Sequence, residues 1–206
     1  MGHSMQETEV KLYVRDLDRV KTQLEKLDAK LVQGRILETN LRFDVPDARL
    51  RAEGRVLRLR QDTQARLTYK DVGKSERGIL SREEIEFVVE NFEKAKRFLE
   101  ALGYQKIFYY EKYRTTYKVK KTSIMLDELP YGSFIEIEGE DLDSIESVAE
   151  QLNLNGDVAI ATSYHVLFER LRTALNLSFE DLSFANFEGV RVEASDLGVS
   201  PADARA

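Results

Sequence analysis

An α+β protein is predicted, with an antiparallel sheet closed into a barrel around a charged lumen, and amphipathic helices packed outside. Three observations lead there. Short segments alternate charged and aliphatic residues with the period of a strand. Four other segments carry apolar stripes at helical spacing, and those stripes must cover something. The polar positions of the strands are dominated by Arg, Lys and Glu, whereas an ordinary wetted face mixes Thr, Ser, Gln and Lys. An antiparallel sheet with one face in water would also alternate. Closing the sheet with its aliphatic face outward, under the helices, instead places the charge in a lumen.

The first strand is Glu7 to Val14, where Glu7, Glu9 and Lys11 point one way and Thr8, Val10, Leu12 and Val14 the other. Residues 17–32 change to helical spacing, with Leu17, Val20, Leu24, Leu27 and Leu31 on one stripe and Asp16 placed to cap. Extended pieces follow at 36–44, 55–61, 65–70 and 80–88, divided by turn signals at Pro46, Gly54, Asp62 and Gly73. A second helix over 91–102 stops at Gly103. Strands resume at 107–119, 122–128 and 133–139, and helices at 142–152 and 163–175.

From Asn176 the pattern weakens. Phe179, Leu182, Phe184 and Phe187 suggest a short element that docks on its own barrel or on a neighbouring subunit, the latter giving a homodimer. After Gly189 the Ala, Asp, Ser and Val content with Pro201 predicts poor order. The expected organisation is one domain over 5–175 and a partly disordered extension over 176–206. Met1-Gly2-His3-Ser4, ahead of Met5, reads as an expression scar.

Composition narrows the chemistry. The 206 residues include 31 basic and 37 acidic side chains, a net charge of −6, which argues against non-specific nucleic-acid binding. No stretch approaches the roughly 18–20 apolar residues of a membrane helix. Nothing resembles a signal peptide, so no membrane partner is expected and the cytoplasm is the expected compartment. With no cysteine, thiol nucleophiles and Cys-ligated metals are excluded. Outside the scar, His165 is the lone histidine, so neither a His-based triad nor a multi-His metal site can form.

What remains is carboxylate, Lys, Arg and hydroxyl chemistry. Residues i and i+2 on a strand lie about 6.6–6.8 Å apart on one face, so paired carboxylates there can converge on a cation. Three such pairs exist, Glu7/Glu9, Glu84/Glu86 and Glu136/Glu138. All-oxygen ligands select a hard ion such as Mg²⁺ or Mn²⁺. Lys11, Arg58, Arg60, Lys70, Lys112 and Arg114, on the same faces, would hold an anion, and Arg forks match phosphate oxygens. Together these describe a polyphosphate site, whose chemistry needs little beyond positioning and charge neutralisation.

These residues also carry a family resemblance. Glu7-Thr8-Glu9-Val10-Lys11 resembles the ExExK signature of the CYTH domain, the triphosphate tunnel metalloenzymes. Phe43-Asp44, Leu57-Arg58-Leu59-Arg60, Leu67-Thr68-Tyr69-Lys70, the R-x-E-x-E of Arg82, Glu84 and Glu86, and Glu111-Lys112-Tyr113-Arg114 follow in the family's order. Leu126-Asp127, then Gly132 through Glu138, and Ser163-Tyr164 at a helix start complete the set. The resemblance implies an eight-stranded antiparallel barrel whose tunnel binds triphosphate and a divalent metal. It implies triphosphate contacts at Lys11, Arg58, Arg60, Lys70, Lys112 and Arg114, of which Lys112 and Arg114 are the catalytic candidates. Metal ligands are implied at Glu9, Glu136 and Glu138, with Glu7, Glu84 and Glu86 near the ion. Asp127 falls on an acidic position of the family, and Arg82 belongs to the same motif set. Arg42 stands where many relatives have Tyr, a departure expected to leave the chemistry untouched.

Two readings of function follow from the resemblance. In one, water attacks a terminal phosphorus of tripolyphosphate, ATP or thiamine triphosphate, with a Glu of the metal shell or Lys112 as candidate base. In the other, a class IV adenylyl cyclase, the ribose hydroxyl of ATP attacks the α-phosphorus and pyrophosphate leaves. A non-catalytic polyphosphate-binding module is a third reading, although anion capture has no need of the carboxylates. Two features are set aside. Gly73-Lys74-Ser75 imitates a P-loop end, but position 68 is Thr where that loop needs Gly, so it reads as a hairpin loop. His165 reads as a surface or packing residue.

Overall fold

The computed structural model describes residues 5–204. The scar predicted at residues 1–4 lies outside the described residues. Nine strands form one antiparallel sheet: β1 (Met5–Val14), β2 (Lys30–Asp44), β3 (Val56–Gln61), β4 (Ala65–Lys70), β5 (Lys74–Glu76), β6 (Ile79–Val89), β7 (Gln105–Val119), β8 (Thr122–Leu129) and β9 (Gly132–Glu138). Their spatial order is β1-β9-β8-β7-β2-β3-β4-β6-β5, and β1 also pairs with β6. Eight strands therefore close a ring, and β5 hangs beside the end of β6 as a ninth. Closure is short: five residue pairs, from Met5↔Glu84 to Glu9↔Leu80.

The helices are α1 (Leu17–Lys26), α2 (Arg49–Ala52), α3 (Phe92–Ala101), α4 (Leu142–Gln151), α5 (Tyr164–Leu175) and α6 (Ala194–Leu197). The side chains of Asp16, Asn91, Asp141 and Ser163 accept hydrogen bonds from backbone N–H groups three residues on, which starts α1, α3, α4 and α5. Helix α1 is shorter than predicted. It ends at Lys26 with Leu27 as its C-cap, Asp28 turns left-handed at φ 51°, and Leu31 belongs to β2 with 53% of its surface exposed. The apolar residue that extended the stripe thus belongs to a strand.

Two apolar cores lie outside the ring. In the first, Val10, Leu12, Ile124, Leu126, Ile135 and Ile137 of the sheet pack under α1 and α4. In the second, Leu41, Phe43, Leu57 and Leu59 pack under Leu50 of α2 and Leu99 of α3. Ile85 and Phe87, on the same outer side of β6, remain 47% and 52% exposed. A third core sits inside one end of the ring. Phe108 and Tyr110 lie four and two residues before the lumen-facing Lys112, and Phe134 two before Glu136, so they share the lumenal face. Tyr164, Leu167, Phe168 and Leu171 of α5 pack against them. Helix α5 therefore plugs that end.

The C-terminal segment docks on its own barrel, one of the two alternatives read from its aromatic residues. Leu182 and Phe187 are buried in the plug core. Beyond the end of β8, the free edge of β7 is met by Leu182, whose N–H donates to the Tyr109 carbonyl and whose carbonyl accepts from Glu111 N–H, at 3.0 and 2.9 Å. The poor order predicted for the tail does not describe residues 190–204, because burial and pairing hold them. Leu197 and Ala202 are buried, Ala202 N–H donates to Tyr13 O at 2.8 Å, and the Asp203 carboxylate accepts from the N–H groups of Arg15 and Asp16 at 3.0 and 2.9 Å. Asp203→Ala leaves those two donors without their acceptor, at about 1–3 kcal/mol. The expected result is a lowered thermal midpoint, read by circular dichroism, with no change in oligomeric state.

Candidate functional site

Every site residue predicted from the sequence except Asp127 lines one cavity of about 660 Å³ inside the ring. Strand alternation sets this arrangement: each lumenal side chain sits two residues from the next, and the intervening residues enter the outer cores. Three charge groups divide the lumen.

The first is rich in acid. Lys70 Nζ lies 2.6 Å from Glu7 Oε2 and 3.0 Å from Glu84 Oε2. Arg82 donates to Glu7 at 3.2 Å and to Glu9 at 3.1 Å. Glu138, directly across from Glu9 on β9, has no ion pair among the described residues. Burial, then the neighbouring Glu7, Glu84 and Glu9, push its carboxyl up to about 7 against the pull of Lys70.

The second is rich in base. Glu86 is shared by Arg58, Arg60 and Arg66 at 3.7, 3.2 and 3.7 Å, and accepts from the Thr68 hydroxyl at 2.8 Å. Arg60 also reaches Glu38 at 3.5 Å, and Arg66 reaches Asp62 at 2.7 Å.

The third centres on Asp127, which is fully buried behind the cavity wall. Its carboxylate accepts from Lys112 Nζ at 2.8 Å, from Arg114 Nε and Nη2 at 2.6 Å each, and from the Tyr164 hydroxyl at 2.8 Å. Arg114 continues to Glu136, which lies 3.4 Å from Lys11. Lys11 in turn sits 4.5 Å from the centre of the Tyr164 ring. Burial alone would raise the Glu38 carboxyl, but Lys112, Arg114 and Arg60 outweigh it and hold the group at about 2.

Of the six predicted metal ligands, Glu7, Glu9, Glu84 and Glu138 stand together, while Glu86 and Glu136 stand among guanidinium and ammonium groups. No three acidic side chains among the described residues form a ready-made cation cage, since Lys70 and Arg82 hold three of the four. The donor chemistry still fits a hard divalent cation: four carboxylates meet two cations, and the excess shows in the raised Glu138. Glu38, Tyr110 and Arg42 also face the lumen and were missed as site residues. The signal was available in Glu38-x-Asn40-x-Arg42, which alternates with Leu41 and Phe43 of the outer core.

His165 is a packing residue. Its ring stacks on Phe108 at 4.1 Å, and burial, then Arg42, push its pKa down to about 4, against Glu169. The Gly73-Lys74-Ser75 segment forms the start of the β5–β6 hairpin, closed by Arg77 and Gly78 at φ 49° and 78°.

A ring of antiparallel strands around a lumen of Arg, Lys and Glu defines a tunnel protein with a charged bore. The CYTH domain model matches residues 5–164, and the chain belongs to the CYTH domain family. A Methanocaldococcus jannaschii protein named "Putative adenylate cyclase" is 30% identical over 171 residues, which span 78% of this chain and 97% of that protein. The crystal structure of a Vibrio parahaemolyticus protein, also named "putative adenylate cyclase", has a TM-score of 0.69 at 21% identity, covering 79% of this chain and 97% of its own. A Hippeastrum protein described as a "putative adenylyl cyclase" with a dominant triphosphatase activity has a TM-score of 0.60 at 16% identity, covering 94% and 100%. At those identities the two structures speak for the fold.

Two outcomes are expected. Glu138 binds a proton in the folded protein up to about pH 7 but in the unfolded chain only to its ordinary value near 4.3, so its contribution to stability falls as pH rises through that window. Glu138→Gln should therefore raise the metal-free thermal midpoint at pH 8 and leave it nearly unchanged at pH 4.5. His165 has the opposite sign. The unfolded chain takes up its proton near pH 6.5 and the folded protein only near 4, so stability is lost as pH falls between them, by at most about 3 kcal/mol. His165→Phe should remove that part of the loss in urea titrations at pH 7 and pH 4.5.

Proposed function

We propose that this protein is a divalent-metal-dependent enzyme that hydrolyses an inorganic or organic triphosphate bound in the tunnel. The observation that carries the reading is the adjacency, in one cavity, of an acid-rich group around Glu138 and a base-rich wall of Arg58, Arg60, Lys112 and Arg114. A polyphosphate bridges two such surfaces, its oxygens facing guanidinium groups along one stretch and a cation along another.

Glu7, Glu9, Glu84 and Glu138 would hold Mg²⁺ or Mn²⁺, which supplies Lewis-acid polarisation of phosphate oxygens when bound. The remaining work falls to the chain. Arg58 and Arg60 grip non-bridging oxygens, and Lys11 and Arg114 do so from the opposite side of the lumen. Asp127 fixes the Lys112 ammonium and the Arg114 fork before substrate arrives, so no reorganisation is needed during reaction. Asp127 and Glu38 hold the Lys112 side chain at the lumen wall, where it can contact phosphate. As water adds to the terminal phosphorus, its proton passes to a carboxylate of the acid-rich group, the bridging P–O bond breaks, and the guanidinium groups take up the charge on the departing diphosphate.

The second reading, cyclisation of ATP with release of pyrophosphate, draws support from the name of the Methanocaldococcus jannaschii relative. The test offers tripolyphosphate, ATP and thiamine triphosphate separately, each with Mg²⁺ and Mn²⁺, and resolves the products. Orthophosphate is expected; cyclic AMP with pyrophosphate would replace the first reading by the second, and binding without turnover would leave a non-catalytic module. Glu138→Gln should lower metal-dependent turnover by more than about 100-fold, since losing even an outer partner of a metal ligand costs about 10–100-fold.

A further inference from the structure

Arg42 is a lumenal cation with no carboxylate of its own among the described residues. The groups that favour its charge are the Tyr110 hydroxyl, which also serves Arg58, and Asp44. It lines the cavity, yet it makes no ion pair or hydrogen bond among the described residues, and its Nε is buried without a partner. Across β2 and β3 it sits directly opposite Arg58, another guanidinium with a buried, unpartnered Nε. On its other side it faces Phe108, which offers nothing polar. Asp44, two residues along the same strand, is committed elsewhere: its carboxylate accepts from the N–H groups of Val45, Leu50 and Arg51 at 2.8, 2.9 and 2.9 Å. The carboxylate nearest Arg58, Glu86 at 3.7 Å, is already divided among three guanidinium groups. His165, stacked on Phe108, brings no negative charge.

Like charges directly opposite on neighbouring strands destabilise a sheet. Two arginines in that arrangement, inside a closed bore, call for an anion that both can reach. We propose that Arg42 is a specificity-determining residue which, with Arg58, clamps a terminal phosphoryl group, and so favours inorganic tripolyphosphate over a nucleoside triphosphate. The inference rests on the triphosphate reading above and names which triphosphate the site prefers. Its chemical basis is charge and oxygen count. A terminal phosphoryl group has three free oxygens and a charge of about −1.5 to −2 near neutrality, which matches two guanidinium forks. An esterified α-phosphate has two free oxygens and a single charge. Inorganic tripolyphosphate carries a terminal group at both ends, so one can face the acid-rich group while the other fills the clamp. ATP has only one to offer.

The test uses the full chain with Arg42→Gln and Arg42→Lys. Arg42→Gln should lower kcat/KM for tripolyphosphate at least about tenfold more than for ATP, the range of a lost charge-assisted hydrogen bond. Arg42→Lys, which keeps the charge but not the fork, should fall between. A second readout needs no turnover. Without ligand, Arg42→Gln should raise the thermal midpoint by relieving the Arg42–Arg58 repulsion, and it should shrink the further rise given by tripolyphosphate while leaving that given by ATP unchanged. Equal losses for both substrates would overturn the clamp, as would a lowered ligand-free midpoint with unchanged ligand shifts. So would a wild-type protein whose midpoint tripolyphosphate does not move. Failure of the hydrolytic reading looks different: the wild type yields no orthophosphate, while the thermal shifts still report on Arg42.

Discussion

Charge enclosed by a closed sheet has to be matched ion by ion, and that requirement organises this protein. An unpaired ion away from water costs several kcal/mol, so the lumen is a continuous set of pairings in which single carboxylates serve two or three cations. Asp127 is the clearest case. With no exposed surface it holds an ammonium, a guanidinium fork and a phenol at once, and thereby sets the directions of Lys112, Arg114 and Tyr164. Where the matching fails, as at Glu138 and Arg42, the residue left over has the chemistry of a ligand contact.

The apolar architecture serves that lumen by keeping the sheet curved and one end shut. Helices α1 and α4 cover one outer arc and α2 and α3 another, which anchors every second residue of the strands and turns the alternate ones inward. Helix α5 does a different job. It enters the end of the ring, where the lumenal positions change from charged to aromatic at Phe108, Tyr110 and Phe134, and its first residue, Tyr164, is shared by the aromatic plug and the Asp127 network.

Much of this could be read before any coordinates. Alternation in Glu7-to-Val14 and in Leu57-Arg58-Leu59-Arg60 told which side chains share the lumen, because a period of two leaves no other choice. The cap at Asp16 and the Ser163-Tyr164 pair marked two helix starts. Three things were not legible. Strand β2 begins at Lys30, six residues before the alternating stretch, because its irregular first half is held by pairing with β7 through shifts in register. The division of six glutamates into an acid-rich group and two held by arginines depends on how neighbouring strands are staggered, which no single strand encodes. The stretch after Gly189 looked disordered by composition, yet a few well-placed residues, Leu197, Ala202 and Asp203, find partners far back in the chain.

Strand β1 shows what such long-range pairing entails. One edge is taken by β9 near residue 135; the other is shared by β6, the N–H of Ile160 and residues 201–203. Strand β1 therefore gains its two sheet neighbours only through contacts about 75 and 125 residues apart in sequence, and its last ones only from residues 201–203. Closure of the bore thus waits on pairings of high sequence separation, which form more slowly than the hairpins elsewhere in the ring.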